Sequence, residues 1–202
     1  MNINAKFLSQ LKSFSKDYLT LADLEKLLGR KRNSLAVLVY RLLKEGFLVR
    51  LKPGIYVAPE KFANLDRIAN QLYYPSYLSF ETVLGRGGIL NQIPYSLTLA
   101  TTRKSKRVTL GGTDVIYSQL KPELYFGYRL EKGLNIAEPE KALLDQLYLV
   151  SLGKSSLDFE ELNLIDLNKK KFLSYAKKFP KRIEKQLREI KKRWGTVSVT
   201  IK

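Results

Sequence analysis

Arg30, Lys31, Arg32, Asn33 and Ser34 form a run of cations and short polar side chains, and Tyr40, Arg41, Arg50 and Lys52 follow within two dozen residues. Guanidinium and carboxamide groups read base edges through paired hydrogen bonds, Arg on guanine and Asn on adenine. Ammonium and hydroxyl groups hold phosphates without reading sequence. Residues 30–34 are therefore expected in a major groove, with Tyr40, Arg41, Arg50 and Lys52 on the phosphate backbone. A second basic run, Arg103, Lys104, Lys106 and Arg107 around Ser105, reads either as a further polyanion contact or as a solvated hairpin tip. A third set, Asp114, Glu138, Glu140 and Lys141, holds the residue types of a Mg²⁺-dependent carboxylate–lysine nuclease. Glu138 to Lys141 is equally well explained as a helix start, which favours binding over catalysis.

What is missing narrows the chemistry further. The chain has no Cys and no His, which excludes Cys/His zinc sites, thiol catalysis and a Ser-His-Asp triad. No side chain has an ordinary pKa near neutrality for acid–base work. The expectation is a protein that is not an enzyme and uses no metal or cofactor.

The elements that must position the first set are legible. Thr20 is placed to cap a helix with Asp23 three residues on, a variant capping box. Leu21, Leu24, Leu27 and Leu28 repeat at helical spacing, and Gly29 stops the helix. A second helix buries Leu35, Leu38, Val39, Leu42 and Leu43 and presents Arg30, Asn33, Val37, Tyr40, Arg41 and Lys44 on its other face. Gly46 ends it. Phe47–Leu51 and Ile55–Val57 then read as strands turned by Lys52-Pro53-Gly54. Residues 20–58 thus predict a helix-turn-helix with a hairpin wing, with Ile3, Phe7, Leu11 and Phe14 on a short helix behind it. A winged helix used only for protein contacts is the alternative.

Charge agrees with a polyanionic partner. The 202 residues carry net +17. Residues 1–62 hold 12 Lys+Arg against 5 Asp+Glu, residues 63–153 hold 10 against 8, and residues 154–202 hold 14 against 6. Two basic ends flank a near-neutral centre, which favours nucleic acid first and an anionic membrane or acidic protein second. Lys6 and Lys12 interrupt any leader-like apolar run, and no apolar stretch approaches the ~20 residues of a membrane span. A cytoplasmic protein is expected.

Past the wing, Pro59 and Pro75 bracket a connector containing a helical stretch, Leu65 to Leu72. Ser76 is expected to cap a helix with Leu78, Val83 and Leu84, ending at Gly85-Arg86-Gly87-Gly88, which lacks the pattern of a phosphate loop. Strands are expected at Leu97–Thr102, Arg107–Leu110, Val115–Tyr117 and Leu124–Tyr128, with a tight turn at Gly111-Gly112. Glu138-Pro139-Glu140 opens a strong helix with Ala142, Leu143, Leu147, Leu149 and Val150 inward. In the tail, Phe172, Ala176 and Phe179 face inward. Pro180 then begins a helix with Ile183, Leu187, Ile190 and Trp194. Residues 169–193 hold 12 Lys+Arg and 2 Glu outside that stripe. The predicted fold is α+β. A winged helix-turn-helix over 1–60 precedes a 61–202 domain made of an α/β body (61–153) and a basic helical tail (154–202).

The wing sequence Leu48-Val49-Arg50-Leu51-Lys52-Pro53-Gly54-Ile55-Tyr56 is followed by Pro75-Ser76-Tyr77-Leu78-Ser79-Phe80-Glu81. Ile136-Ala137-Glu138-Pro139-Glu140-Lys141-Ala142-Leu143-Leu144-Asp145 comes third. In order and spacing these motifs, spanning about residues 20–150, resemble the AbiEi family of antitoxins and transcriptional regulators of abortive-infection toxin–antitoxin modules. The resemblance implies a winged helix that binds inverted repeats in its own promoter and represses the operon. It also implies a second domain that counteracts a nucleotidyltransferase-like toxin without stable direct binding. Two other readings stay open: a stand-alone winged-helix transcription factor without a toxin, and the Mg²⁺-dependent nuclease.

Overall fold

The computed structural model describes residues 9–11, 14–29, 32–92 and 94–197 of the chain. It is a mixed α+β structure with two sheets. The first sheet is built from β1 (Leu19–Thr20), β2 (Val49–Lys52) and β3 (Ile55–Val57) in the order β1-β3-β2, all antiparallel. Between β1 and β2 run α1 (Leu21–Leu28) and α2 (Arg32–Lys44). The 3-10 turn Pro59–Asn64 and α3 (Leu65–Leu72) lead into the body.

The body sheet has the order β6-β7-β5-β4-β9-β8. Its strands are β4 (Ser76–Leu78), β5 (Leu97–Thr101), β6 (Lys106–Leu110), β7 (Thr113–Gln119), β8 (Tyr128–Glu131) and β9 (Leu134–Ala137). The pairs β4–β9 and β5–β7 are parallel and the others antiparallel. On one face lies α3, held where Tyr117 Oη donates to the Ala69 carbonyl at 2.7 Å. On the other lie α4 (Phe80–Arg86) and α5 (Pro139–Ser151), with α6 (Lys169–Ala176) and α7 (Glu184–Val197) packed behind. Pro139 stands in the first turn of α5, as expected.

Two apolar cores result, and the small sheet is shared between them. Leu48, Tyr56 and Ala58 face Leu24, Leu35, Val39 and Leu42 of the helices, whereas Leu51 and Val57 enter the large core of the body. This is the two-residue alternation of a strand with both faces covered. The join near residue 60 is also crossed by polar contacts. Arg67 pairs with Asp17 at 2.6 Å, Lys61 donates to the Phe14 carbonyl at 2.8 Å, and the Gly111 N–H donates to the Leu51 carbonyl at 2.9 Å. The two units therefore share contacts across the connector, and one face of the wing is covered by the body.

Two further expectations are corrected. Ser76 does not cap a helix; Ser76–Leu78 is a central strand, wholly buried, and α4 begins at Phe80. Asn70 holds the strand from α3, donating from Nδ2 to Ser76 O at 2.5 Å and to its hydroxyl at 3.0 Å. Leu124–Tyr128 is not a strand either. Pro122–Leu124 forms a 3-10 turn with Leu124 buried, Gly127 takes φ +70°, and pairing begins only at Tyr128. The strands β1, β8 and β9 were not expected. Of the helix foreseen over residues 3–14, only Ser9–Leu11 is described as helical; Phe14 is not helical, and the rest lies outside the described residues.

Candidate nucleic-acid interface

The entry to α1 is fixed by local hydrogen bonds. Asp23 N–H donates to Thr20 Oγ1 at 3.2 Å, and Thr20 N–H and hydroxyl donate back to the Asp23 carboxylate at 2.8 and 2.7 Å. Burial pushes the Asp23 carboxyl up, but the two Thr20 bonds and the charges of Lys16 and Lys26 outweigh it, leaving it below the usual carboxylate range. Gly29 at φ +60° ends the helix in the left-handed region, where a Cβ would be strained.

Leu35, Val39 and Leu42 of α2 are buried in the small core, with Leu38 and Leu43 half-buried beside them. That is the expected apolar stripe. Ser34, Val37, Tyr40, Arg41 and Lys44 fall on the opposite face and are exposed, Val37 by 57% and Tyr40 by 66%. The spacing i, i+3, i+6, i+7, i+10 from Ser34 to Lys44 makes them one stripe. An exposed valine and tyrosine among cations is an unusual solvent face, and it suits apolar contact with a thymine methyl or a sugar edge.

The wing follows α2 directly, the Leu48 N–H donating to the Leu42 carbonyl at 3.2 Å. Gly54 turns β2 into β3 at φ +79°, and the register slips between Arg50 and Lys52. Arg50 is exposed and Lys52 half-buried. Because Leu51 is anchored in the body, the strand carrying these two cations has a fixed position. Arg30 and Lys31 lie outside the described residues. Arg32 and Asn33 lie in α2, their side chains outside the description.

The other candidate residues are not brought to this face. Arg103 lies over the Tyr73 ring at 4.1 Å and Lys106 over the same ring at 5.3 Å, while Arg107 pairs with Asp114 at 2.7 Å. The basic run is thus a cation–π stack and an ion pair rather than a bare tip, and Lys106 and Arg107 belong to β6. The wing meets β6 at its other end, about 13 Å along the strand. The four nuclease-type residues are not gathered into one site either, although Glu138 and Glu140 both approach Lys171. Asp114 serves Arg107 and Thr109, Glu138 pairs with Lys171 at 2.7 Å, and Glu140 accepts the Asn168 N–H at 2.9 Å. Among the described residues no group of three or more acidic side chains is placed to hold a metal ion.

Lys141 is the surprise. It is wholly buried and ion-paired with Asp145 one turn on, and it donates to Tyr77 Oη at 2.7 Å. Tyr77 and Ser79 each donate to the Asp145 carboxylate at 2.9 Å. Burial lowers the Lys141 pKa and raises that of Asp145, each opposed by the other's charge. The rings of Tyr77, Phe126 and Phe179 surround the ammonium at 5.1 to 5.3 Å. The charge pair closes the sheet onto α5 and has no route to solvent. The i,i+4 spacing of Lys141 and Asp145 within an apolar helix is the one signal in the sequence that points to it.

α2 thus presents a basic, exposed stripe and is followed by a two-stranded hairpin. Residues 6–59 match the family of transcriptional regulators described as AbiEi antitoxins. The N-terminal segment is therefore similar to regulators of that kind. The wing motif lies inside the match, and the motifs at 75–81 and 136–145 lie outside it. The fold is similar to the crystal structure of the RV2827C protein from Mycobacterium tuberculosis. The TM-score is 0.56 at 16% identity, over 89% of this chain and 72% of that one. No curated protein gives a significant match. No helix among the described residues is long and apolar enough to cross a membrane.

Proposed function

We propose that the N-terminal unit is a winged helix that reads double-stranded DNA, and that the chain represses its own promoter at inverted repeats. α2 enters the major groove with Arg30, Lys31, Arg32, Asn33 and Ser34 leading, and Tyr40, Arg41, Arg50 and Lys52 take phosphates. The observation that carries this reading is the exposed stripe Ser34-Val37-Tyr40-Arg41-Lys44, backed by a fully packed opposite face. The DNA-reading unit ends at about residue 60. The remainder counteracts a nucleotidyltransferase-like toxin in the cytoplasm, without stable contact and without catalysis of its own.

Two substitutions test the division of labour on DNA. Asn33→Ala relaxes sequence preference by ~1–3 kcal/mol at one base pair. Arg50→Ala weakens operator and random DNA alike and flattens the salt dependence by ~0.9 in log–log slope. Equal losses on both DNAs from both substitutions overturn it. For the second activity, full-length Arg41→Ala/Arg50→Ala should derepress the promoter yet still rescue cells from the toxin encoded beside it. If no adjacent gene encodes such a toxin, the stand-alone regulator takes precedence.

A further inference from the structure

The body sheet ends in two edges of different character. At β6 the edge carries Lys106 and Arg107 and is met by the wing through the Gly111–Leu51 hydrogen bond. At β8 all four residues, Tyr128-Arg129-Leu130-Glu131, are exposed, Leu130 by 70%. Exposed edges of this kind template pairing with another strand unless they are guarded.

The ladder fixes which groups β8 offers. The β8–β9 turn is the two residues Lys132 and Gly133, both at positive φ, and Glu131 pairs with Leu134 across it. In such a hairpin the pair flanking the turn exchanges both hydrogen bonds, and bonded and non-bonded pairs then alternate. Leu130, opposite Asn135, is a non-bonded pair, so its N–H and C=O point away from β9. Leu130 is therefore the centre of the free edge.

We propose that β8 is the docking strand for a second copy of this chain, paired antiparallel about a two-fold axis at Leu130. In that register the two Leu130 residues exchange both backbone hydrogen bonds. Arg129 of each copy then stands opposite Glu131 of the other, at a non-bonded pair where side chains come closest. The segment Arg-Leu-Glu is complementary to itself in this arrangement and no other residue pairing of β8 matches both charges. The intrachain Arg129–Glu131 pair at 2.6 Å shows both side chains on one face of the sheet, as cross-strand pairing requires. The two-fold stands perpendicular to the joined sheets, so both α3 faces look the same way. The N-terminal units adjoin that face through the Asp17–Arg67 pair, and both are carried to one side of the dimer.

Two reading helices on one side of a two-fold are what an inverted repeat demands. That link rests on the DNA-reading function proposed above, whereas the pairing itself rests on β8 alone. A ladder of four residues buries less than the ~1,000 Å² of a stable interface, so association is weak in free solution. Two adjacent half-sites raise the effective concentration and make it productive.

The chain has no cysteine, which gives a clean test. Facing Cα atoms of a bonded antiparallel pair lie ~5.5 Å apart, within disulfide range. Full-length Leu130→Cys should form a disulfide-linked dimer under mild oxidation, and Ile165→Cys, equally exposed at 68%, should not. Adding Arg129→Glu to Leu130→Cys should cut the cross-linking rate at least tenfold, and adding Glu131→Arg as well should restore it. Native folding of each variant is checked by Trp194 fluorescence. Equal cross-linking at positions 130 and 165, none at either, or no rescue by the double charge reversal overturns the pairing. Half-site DNA binding by the same variants reports the DNA-reading function separately: its loss leaves the cross-linking result standing, and the reverse also holds.

Discussion

Lys141 and Asp145 form a charge pair with no exposure at all, and its value lies in being complete. Removing one member strands the other in a low-dielectric site, so Asp145→Ala should cost ~3–5 kcal/mol. Lys141→Met with Asp145→Leu leaves only the Tyr77 and Ser79 hydroxyls to re-satisfy, and should cost less than the single change although it alters two residues. Denaturant midpoints of the wild type, Asp145→Ala and the double variant measure this; a double variant worse than Asp145→Ala removes the argument. At the surface, the Asp23 cap has a pH signature. Its folded carboxyl titrates below the ordinary value, so its contribution is full above the ordinary carboxylate range and is lost as pH falls through the lowered one. The stability gap between the wild type and Asp23→Asn should therefore close on acidification. This cap was legible because Thr20 and Asp23 are neighbours in sequence. The Tyr77–Asp145 bond was not, because 68 positions separate its partners.

The same contrast of local and distant causes governs the elements. α1, α2, α5 and the hairpin follow from periodicity, caps and turn residues, and the sequence places them correctly. The strand Ser76–Leu78 does not, since its three residues carry no alternation. A central strand buried on both faces reads as a short apolar run whose type only its neighbours decide. β8 and β9 were hidden for a related reason: Lys132 in a left-handed turn is an atypical residue for that role. The tail illustrates what burial adds to a charge count. Phe172, Ile183, Ile190 and Trp194 lie in the large core, so α6 and α7 are part of the body and deleting residues 169–202 would open it. Charge and packing are separable by substitution instead. Trp194→Ala should cost ~3–5 kcal/mol of stability. Lys181→Gln, Lys185→Gln and Arg188→Gln together should leave stability unchanged, and the salt slope of DNA binding should fall by ~0.9 for each phosphate these cations neutralise. An unchanged slope would leave the tail a solvated face.

At the scale of the whole molecule, the small sheet binds the N-terminal unit to the body. Leu51 and Val57 belong to the core of the body, while Leu48 and Tyr56 belong to the core under α1 and α2. Gly111 tightens the seam. It sits at φ +54°, and a Cβ there would lie 2.7 Å from the Phe62 ring. Neither unit can unfold without exposing apolar side chains of the other, so the two are expected to unfold in one transition. Amide exchange in α2 should report the same opening free energy as the denaturation followed by Trp194, the single tryptophan, which lies far along the chain in the body. Leu51→Ala leaves a cavity at the seam and should cost ~2–5 kcal/mol. Because Leu51 is the wing's own anchor in the body core, its loss loosens the seam as well as that core, and the two probes should then separate, with α2 opening first. Coincident probes in the wild type that also stay coincident in Leu51→Ala would place the coupling elsewhere, at Asp17–Arg67 or Lys61. Probes already separated in the wild type would mean that the shared sheet does not join the two units energetically. The wing would then be free to move against the body.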